Sequence, residues 1–158
     1  MTLMEKISGR LTDPEWGFGP GPSENSLVTM FEGDSGKFIV AVTVREPQQQ
    51  LAFYAYSPVE APEDKLPAMM ELLTRANHGM ILGNFELDLA DGEVRFKVSI
   101  DVEKASDPLP LVDPHLSVCI MTMDQYLPAI LAVISGEASP EEALALAEED
   151  DEDVEDED

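Results

Sequence analysis

The chain has 158 residues, 44% hydrophobic and 6% aromatic, the length of one compact domain with enough apolar content for a core and no room for a second. Nine Lys and Arg stand against 33 Asp and Glu, a formal net charge of −24 with a pI near 4.1. Such a surface repels phosphates and anionic headgroups, so neither nucleic acid nor a membrane is an expected partner.

In chain order, Leu3–Leu11 has the pattern of a short helix, and Glu5, Lys6 and Arg10 lie where a secretory apolar region would need to be uncharged. Gly17 to Glu24, rich in Gly and Pro, reads as a loop. Three strand-like runs follow, Ser26–Glu32, Lys37–Arg45 and Gln50–Ser57, joined by short polar turns into a meander. The middle run is apolar on nearly both faces, which predicts a central strand covered on both sides. Pro62-Glu63-Asp64 opens an amphipathic helix with Leu66, Met69, Met70, Leu73, Ala76 and Met80 three or four apart.

Strict alternation then runs from Ile81 to Glu103, with Ile81, Phe85, Leu87 and Leu89 facing one side, and Val94, Phe96, Val98, Ile100 and Val102 repeating the pattern. Asp91-Gly92 suits a two-residue hairpin turn. A turn there sets Asp88 opposite Arg95, Leu87 opposite Phe96 and Glu86 opposite Lys97. Asp113-Pro114 offers a cap and first-turn proline for a last long helix carrying Leu116, Cys119, Ile120, Met123, Leu127, Ile130, Leu131 and Ile134 and ending near Gly136. Asp124, Gln125 and Pro128 interrupt this apolar run, which argues against a membrane span. Val118, Met121, Tyr126 and Val133 add apolar surface beyond what one sheet hides, and a subunit interface is one way to cover it.

Residues 137 to 158 contain 13 acids and no bases. Ser139-Pro140-Glu141-Glu142 has the form of a helix start, while beyond about Ala147 the like charges predict disorder. The expected organisation is therefore one α+β domain over residues 1–136, ordered α-β-β-β-α-β-β-α with an antiparallel sheet packed against helices, and a short helix with a disordered acidic tail over 137–158.

Candidates for chemistry are few. His115 and Cys119 are four apart on the last helix, a spacing that permits a base–thiol pair or two metal ligands. Cys119 also falls in the apolar stripe, so an inert buried thiol is the expectation, and no second His or Cys pair completes a metal site. Spacing singles out none of Asp88, Asp101 and Asp124, and a solvated, salt-bridged face accounts for them. Gly17-Phe18-Gly19-Pro20-Gly21 lacks the Lys of a phosphate loop. Trp16, Phe18, Tyr54 and Tyr56 fit either a binding surface or, the favoured reading, core packing. Helical spacing makes core the default for Met69, Met70 and Met123, whereas Met4, Met30, Met80 and Met121 could join them in an adaptable peptide groove. No residue is assigned a catalytic, cofactor-binding or metal role, and no cofactor is expected.

Asn77-His78-Gly79-Met80-Ile81-Leu82-Gly83-Asn84-Phe85-Glu86-Leu87-Asp88, followed by Gly92-Glu93-Val94-Arg95-Phe96, resembles the YbjN family. In that family an Asn closes a helix, a Gly-x-aromatic strand follows, and a turn glycine leads to a second alternating strand; Asn77, Gly83, Phe85, Gly92 and Val94 match. The resemblance covers residues 26 to 136. It implies a bacterial sensory-transduction regulator with a fold like the type III secretion chaperones, commonly homodimeric and without catalytic activity. A structural reading of the matched residues gives Gly83 close backbone approach, Gly92 the turn, and Asn77 a left-handed helix end.

With the resemblance, the expected function is a non-enzymatic, cytoplasmic, homodimeric chaperone-like module that binds a protein partner of unspecified identity through an apolar sheet or helix surface. Its acidity would serve solubility and reject acidic partners. The alternative is a small-molecule-binding regulatory domain with a pocket between the sheet and the last helix.

Overall fold

The computed structural model describes the backbone of residues 1–155 and side chains as far as Glu149. The described residues form four α-helices and a six-stranded, fully antiparallel sheet. Helix α1 (Leu3–Leu11) opens at Thr2, whose hydroxyl accepts the Glu5 N–H at 3.1 Å, and it buries Leu3, Ile7 and Leu11, one stripe at helical spacing. The segment expected to be all loop holds a two-residue strand, β1 (Gly19–Pro20), paired with Leu27 and Val28. Two residues are too short for an alternation signal. Strands β2 (Ser26–Glu32), β3 (Lys37–Arg45) and β4 (Gln50–Tyr56) form the predicted meander.

After a single 3₁₀ turn at Glu63–Lys65 comes α2 (Leu66–Asn77), then β5 (Asn84–Leu87), β6 (Val94–Asp101), α3 (Leu109–Ser135) and α4 (Pro140–Glu155). The sheet order is β1-β2-β3-β4-β6-β5, so β6 crosses to pair with β4 and leaves β5 at an edge.

Directly opposed residues in a ladder share a face. One face carries Leu27, Phe38, Val40, Val42, Val44, Leu51, Phe53, Phe96 and Val98, all buried. Against it lies α3 with Val112, Leu116, Cys119, Met123, Leu127 and Ile130 fully buried, while α1 packs on β3 and α3, and α2 on β5. No helix of the described residues lies on the other face. The expectation that β3 is covered on both sides is therefore corrected: its Ile39 remains 46% exposed, and Ala41 is buried only because larger neighbours surround it on the open face.

The hairpin differs in register from the two-residue-turn reading. Asn84 faces Lys97, Phe85 faces Phe96, Glu86 faces Arg95 and Leu87 faces Val94, a shift of two residues. The connection runs from Asp88 to Glu93, closed by Asp88 N–H to Glu93 O (2.9 Å) and Gly92 N–H to Asp88 O (2.7 Å). An even shift keeps every strand side chain on its predicted face, so Phe85 still packs inward. Ile81 and Leu89 fall outside the strand and are 92% and 59% exposed, not inward as expected.

Helix α3 begins four residues before Asp113-Pro114, at an equivalent signal in Asp107-Pro108: the Asp107 carboxylate accepts the Leu109 N–H at 3.1 Å. It runs through Pro114 and Pro128 and stops at Gly136, the end predicted, where a φ of 79° puts the glycine in the left-handed region. By length and composition α3 is long and apolar enough to cross a bilayer; Asp124, Gln125 and Pro128 do not break it up as the sequence suggested. Its apolar character has a structural outlet in the core it fills against the sheet.

The apolar excess on α3 is met within the chain. Helix α4 packs on α3 and α2 through Ala143 and Ala147, and Tyr126 and Val133 are buried, although Met121 remains exposed. Ser139 caps α4, its Oγ accepting the Glu142 N–H at 3.2 Å. The helix continues to Glu155, eight residues beyond the predicted onset of disorder; a docked first turn supplies the costly nucleus, and each further residue adds a hydrogen bond. Positions 156–158 of the expected disordered tail lie outside the described residues.

Candidate functional site

The residues weighed for chemistry do not converge. His115 Nδ1 lies 2.6 Å from the Leu111 carbonyl in its own helix, while Cys119 is fully buried with Sγ directed to the Phe96 carbonyl at 3.6 Å. Burial pushes the Cys119 thiol up to about 12, against a weaker lowering by a backbone hydrogen bond at Val98. Asp124 accepts the Asp34 and Ser35 N–H groups at 3.1 and 2.9 Å, and its carbonyl accepts the Ser35 hydroxyl at 2.7 Å, tying the β2–β3 turn to α3. Asp101 accepts from Gln50 Nε2 and the Glu103 N–H, and Asp88 from the Ala90 N–H. The salt bridge expected between Asp88 and Arg95 is not formed, because the register brings Glu86 to Arg95 instead. Among the described residues no group of three or more His, Cys, Asp or Glu could hold a metal ion.

Two structural carboxylates were not singled out by spacing. Glu46, in the β3–β4 turn, accepts the Leu3 and Met4 N–H groups at 3.1 Å each, at the positive end of α1. Asp113, expected to start a helix, instead lies within α3, where it pairs with Arg10 and accepts the Trp16 indole N–H at 3.3 Å.

The surface that stands out is the open face of the sheet. Two rows cross it: Met30 (β2), Ile39 (β3), Tyr56 (β4), Arg95 (β6) and Glu86 (β5); and Val28, Ala41, Tyr54, Lys97 and Asn84 on the same strands. Tyr54 and Tyr56 share a face as predicted, with ring centroids 6.0 Å apart, but it is this face and not the core, which corrects the core-packing reading for them. Phe18 is core, and Trp16 packs edge-on against it. Arg95 stacks over the Tyr54 ring, 4.5 Å from its centroid. Glu86 bonds both Arg95 (2.8 Å) and Lys97 (3.0 Å). Burial raises the Glu86 carboxyl, and the bonds from Lys97 and Arg95 outweigh it, leaving the group below its usual range. Burial raises the Tyr56 phenol, with Arg95 opposing.

A second surface is a groove of about 560 Å³ along one flank of α3, walled by the 78–82 loop and Glu148 of α4 and reaching Phe96 of β6. Met80, Ile81, Leu82, Val118 and Tyr126 line it beside polar His78, Gln125 and Glu148. Phe53, Phe96, Met123 and Leu127 fill the centre of the space between sheet and α3; the groove touches this layer at its edge, where Phe96 joins the lining, the place nearest to the pocket of the small-molecule alternative. Of the helical methionines, Met69 and Met123 are core, while Met70 is 42% exposed, contrary to the spacing argument.

Comparison with known families decides what this arrangement belongs to: the YbjN model, described as "Putative bacterial sensory transduction regulator", matches residues 7–132. The chain belongs to the YbjN family. That membership carries a functional class with it, regulator-like. No curated protein matches this YbjN chain. Among solved structures, a chain from the crystal structure of the ExsC–ExsE complex is similar, with TM-score 0.54 and 16% identity over 80% of this chain and 95% of that one. At that identity the likeness concerns the fold, and it agrees with the α+β, type III secretion chaperone-like architecture expected.

The YbjN positions picked out in the sequence act through the backbone and the core. Gly83 has φ +81°, and a Cβ there would sit 2.6 Å from the Lys97 carbonyl and 2.8 Å from the Phe96 ring. Gly92 has φ +82° and lies against the Ala61 carbonyl. Asn77 is helical, not left-handed as read from sequence; its side chain accepts the Phe85 N–H (2.7 Å) and donates to the Phe85 carbonyl (3.1 Å). It thus pairs with the outer edge of β5.

Proposed function

We propose that this YbjN protein is a chaperone-like module that binds a segment of another protein on the open face of its sheet, acting as a homodimer in the cytoplasm. The observation that carries this reading is the apolar strip of Val28, Met30, Ile39, Tyr54 and Tyr56, which no helix of the described chain covers; Met30 is 61% exposed. An apolar patch rimmed by charge is the usual mark of a protein interaction site. The fold relative was solved in a protein–protein complex, which supports a binding role.

A photoreactive residue at Ile39, installed in the full chain in its native cells, tests the reading. Discrete crosslinked protein species from position 39, absent from the exposed helix position Glu71, are expected. No species from position 39 that is missing from position 71 refutes it. The homodimer rests on the family resemblance and on the apolar wall of the α3 groove, where Ile81 is 92% and Leu82 49% exposed. Light scattering is expected to give twice the chain mass at micromolar concentration, falling to one chain mass for Ile81→Asp; a monomeric native chain refutes dimerisation.

A further inference from the structure

We infer that the open sheet face is selective for an acidic, aliphatic-rich segment of another protein, in spite of the chain's own net charge of −24. The inference rests on the protein-binding reading above and adds the chemical class of the partner.

Charge is segregated between the two sides of the molecule. Strand residues on the open face include Lys37, Arg45, Arg95 and Lys97, four of the nine basic residues, against three of the 33 acids, Glu32, Glu86 and Asp101. Glu93, at the rim just before β6, and Asp88 opposite it add a fourth and a fifth acid. The face is close to neutral, with four bases and five acids, and the rest of the chain holds five bases and 28 acids.

Two of the acids on this face, Glu86 and Asp101, are already engaged. Glu86 serves Arg95 and Lys97 together, one carboxylate for two cations. Asp101 accepts from Gln50 and the Glu103 N–H. Arg45 makes no ion pair among the described residues, and Lys37 lies only at 4.0 Å from Glu32. A guanidinium has five N–H donors and an ammonium three, so capacity for further carboxylates remains on β6.

Both cross-sheet rows pass from apolar side chains on β2, β3 and β4 to a cation on β6, over three strand spacings or about 14 Å. A segment with aliphatic side chains above Met30, Ile39 and Tyr56 sets its carboxylates above Arg95 and Lys97. Two other occupants fit less well. The chain's own terminal run from Glu148 has Val154 as its only uncharged residue, so it offers no aliphatic stripe. A second copy of the face would bring its own four cations along with its acids, so it offers no net acidic stripe.

The test uses the full chain and three fluorescein-labelled synthetic peptides of equal length, alternating Leu with Glu, Gln or Lys, followed by anisotropy. The Leu/Glu peptide is expected to bind about tenfold more tightly than the Leu/Lys peptide, the reverse of the order that net charge alone dictates. Ile39→Asp and Lys97→Gln are each expected to weaken the Leu/Glu peptide about tenfold; circular dichroism reports their folding, and Met30→Asp replaces either that fails to fold. Tightest binding of the Leu/Lys peptide, or Leu/Glu binding indifferent to the folded variants, overturns the inference. So do position-39 crosslinks that map to residues 148–158 or to a second copy. A crosslinked foreign protein together with no Leu/Glu preference removes the acidic class and leaves the protein-binding reading standing; loss of both removes both.

Discussion

Asn77 closes α2 yet spends its amide on the strand beyond the next loop, bonding both backbone groups of Phe85. Replacing it by Ala leaves the Phe85 N–H without its partner where Phe85 is buried, while Asn84 Nδ2 still reaches the Phe85 carbonyl at 3.2 Å, at an expected cost of about 1–3 kcal/mol, readable as a lower urea midpoint. Asn77→Asp keeps the acceptor and loses the donor, so its midpoint should fall between the two; equality of Asn77→Ala with the native chain would contradict this role. Gly83→Ala meets both a left-handed backbone and the Lys97 carbonyl, and about 1–3 kcal/mol of destabilisation is expected from the backbone strain alone. Cys119, with its thiol held up near 12 by burial, should resist a thiol-disulfide reagent at pH 8 in the native protein and react at once in denaturant. The glycine positions were legible because glycine has few reasons to recur at turns. The Asn77 bond was not, since a side chain's reach across a loop leaves no periodic trace.

At the scale of elements, strand limits were legible wherever alternation was long: β2 and β3 begin and end as read, and β4 closes one residue early. The hairpin register slipped by two because Asp91-Gly92 is the strongest two-residue turn signal, while the Asp88–Glu93 connection uses side-chain and backbone bonds that no dipeptide announces. The start of α3 was ambiguous for a related reason, two Asp-Pro pairs six residues apart carrying the same signal. The attachment of α1 depends on Glu46, which hydrogen bonds from Met4, with Gln49 and Leu3 adding to it, hold below its usual range in spite of desolvation. A carboxyl lowered on folding contributes stability above its unfolded pKa and loses it as pH falls through the folded one. Glu46→Gln is therefore expected to lower the thermal midpoint at pH 7, with the gap to the native chain closing as the pH drops below the ordinary carboxylate range. A gap unchanged down to pH 3 would separate Glu46 from the capping of α1.

For the whole molecule, length and composition set the size, the order of periodic segments set the fold class, and the family motif set the regulator assignment, but none of them showed that the helices gather on one side of the sheet. The meander's middle strand reads as apolar on both faces because Ile39 and Ala41 follow the same β-branched and small-residue preference as the buried positions. The arrangement has a measurable electrostatic side. With 13 acids and no bases in its last 22 residues, the chain should gain stability as salt rises from low to moderate concentration, because like charges are screened; a thermal midpoint that stays level or falls between 20 and 300 mM salt, on the order of a Debye length from about 20 to 6 Å, would run against this. The helix α4 that holds much of this charge packs on α2 and α3, away from the open face of the sheet. The negative charge is thus concentrated away from that face. Brought to a positively charged support, the molecule should settle with α4 down and turn Tyr54, Tyr56 and Ile39 toward the solution, so that adsorption presents the binding face instead of hiding it.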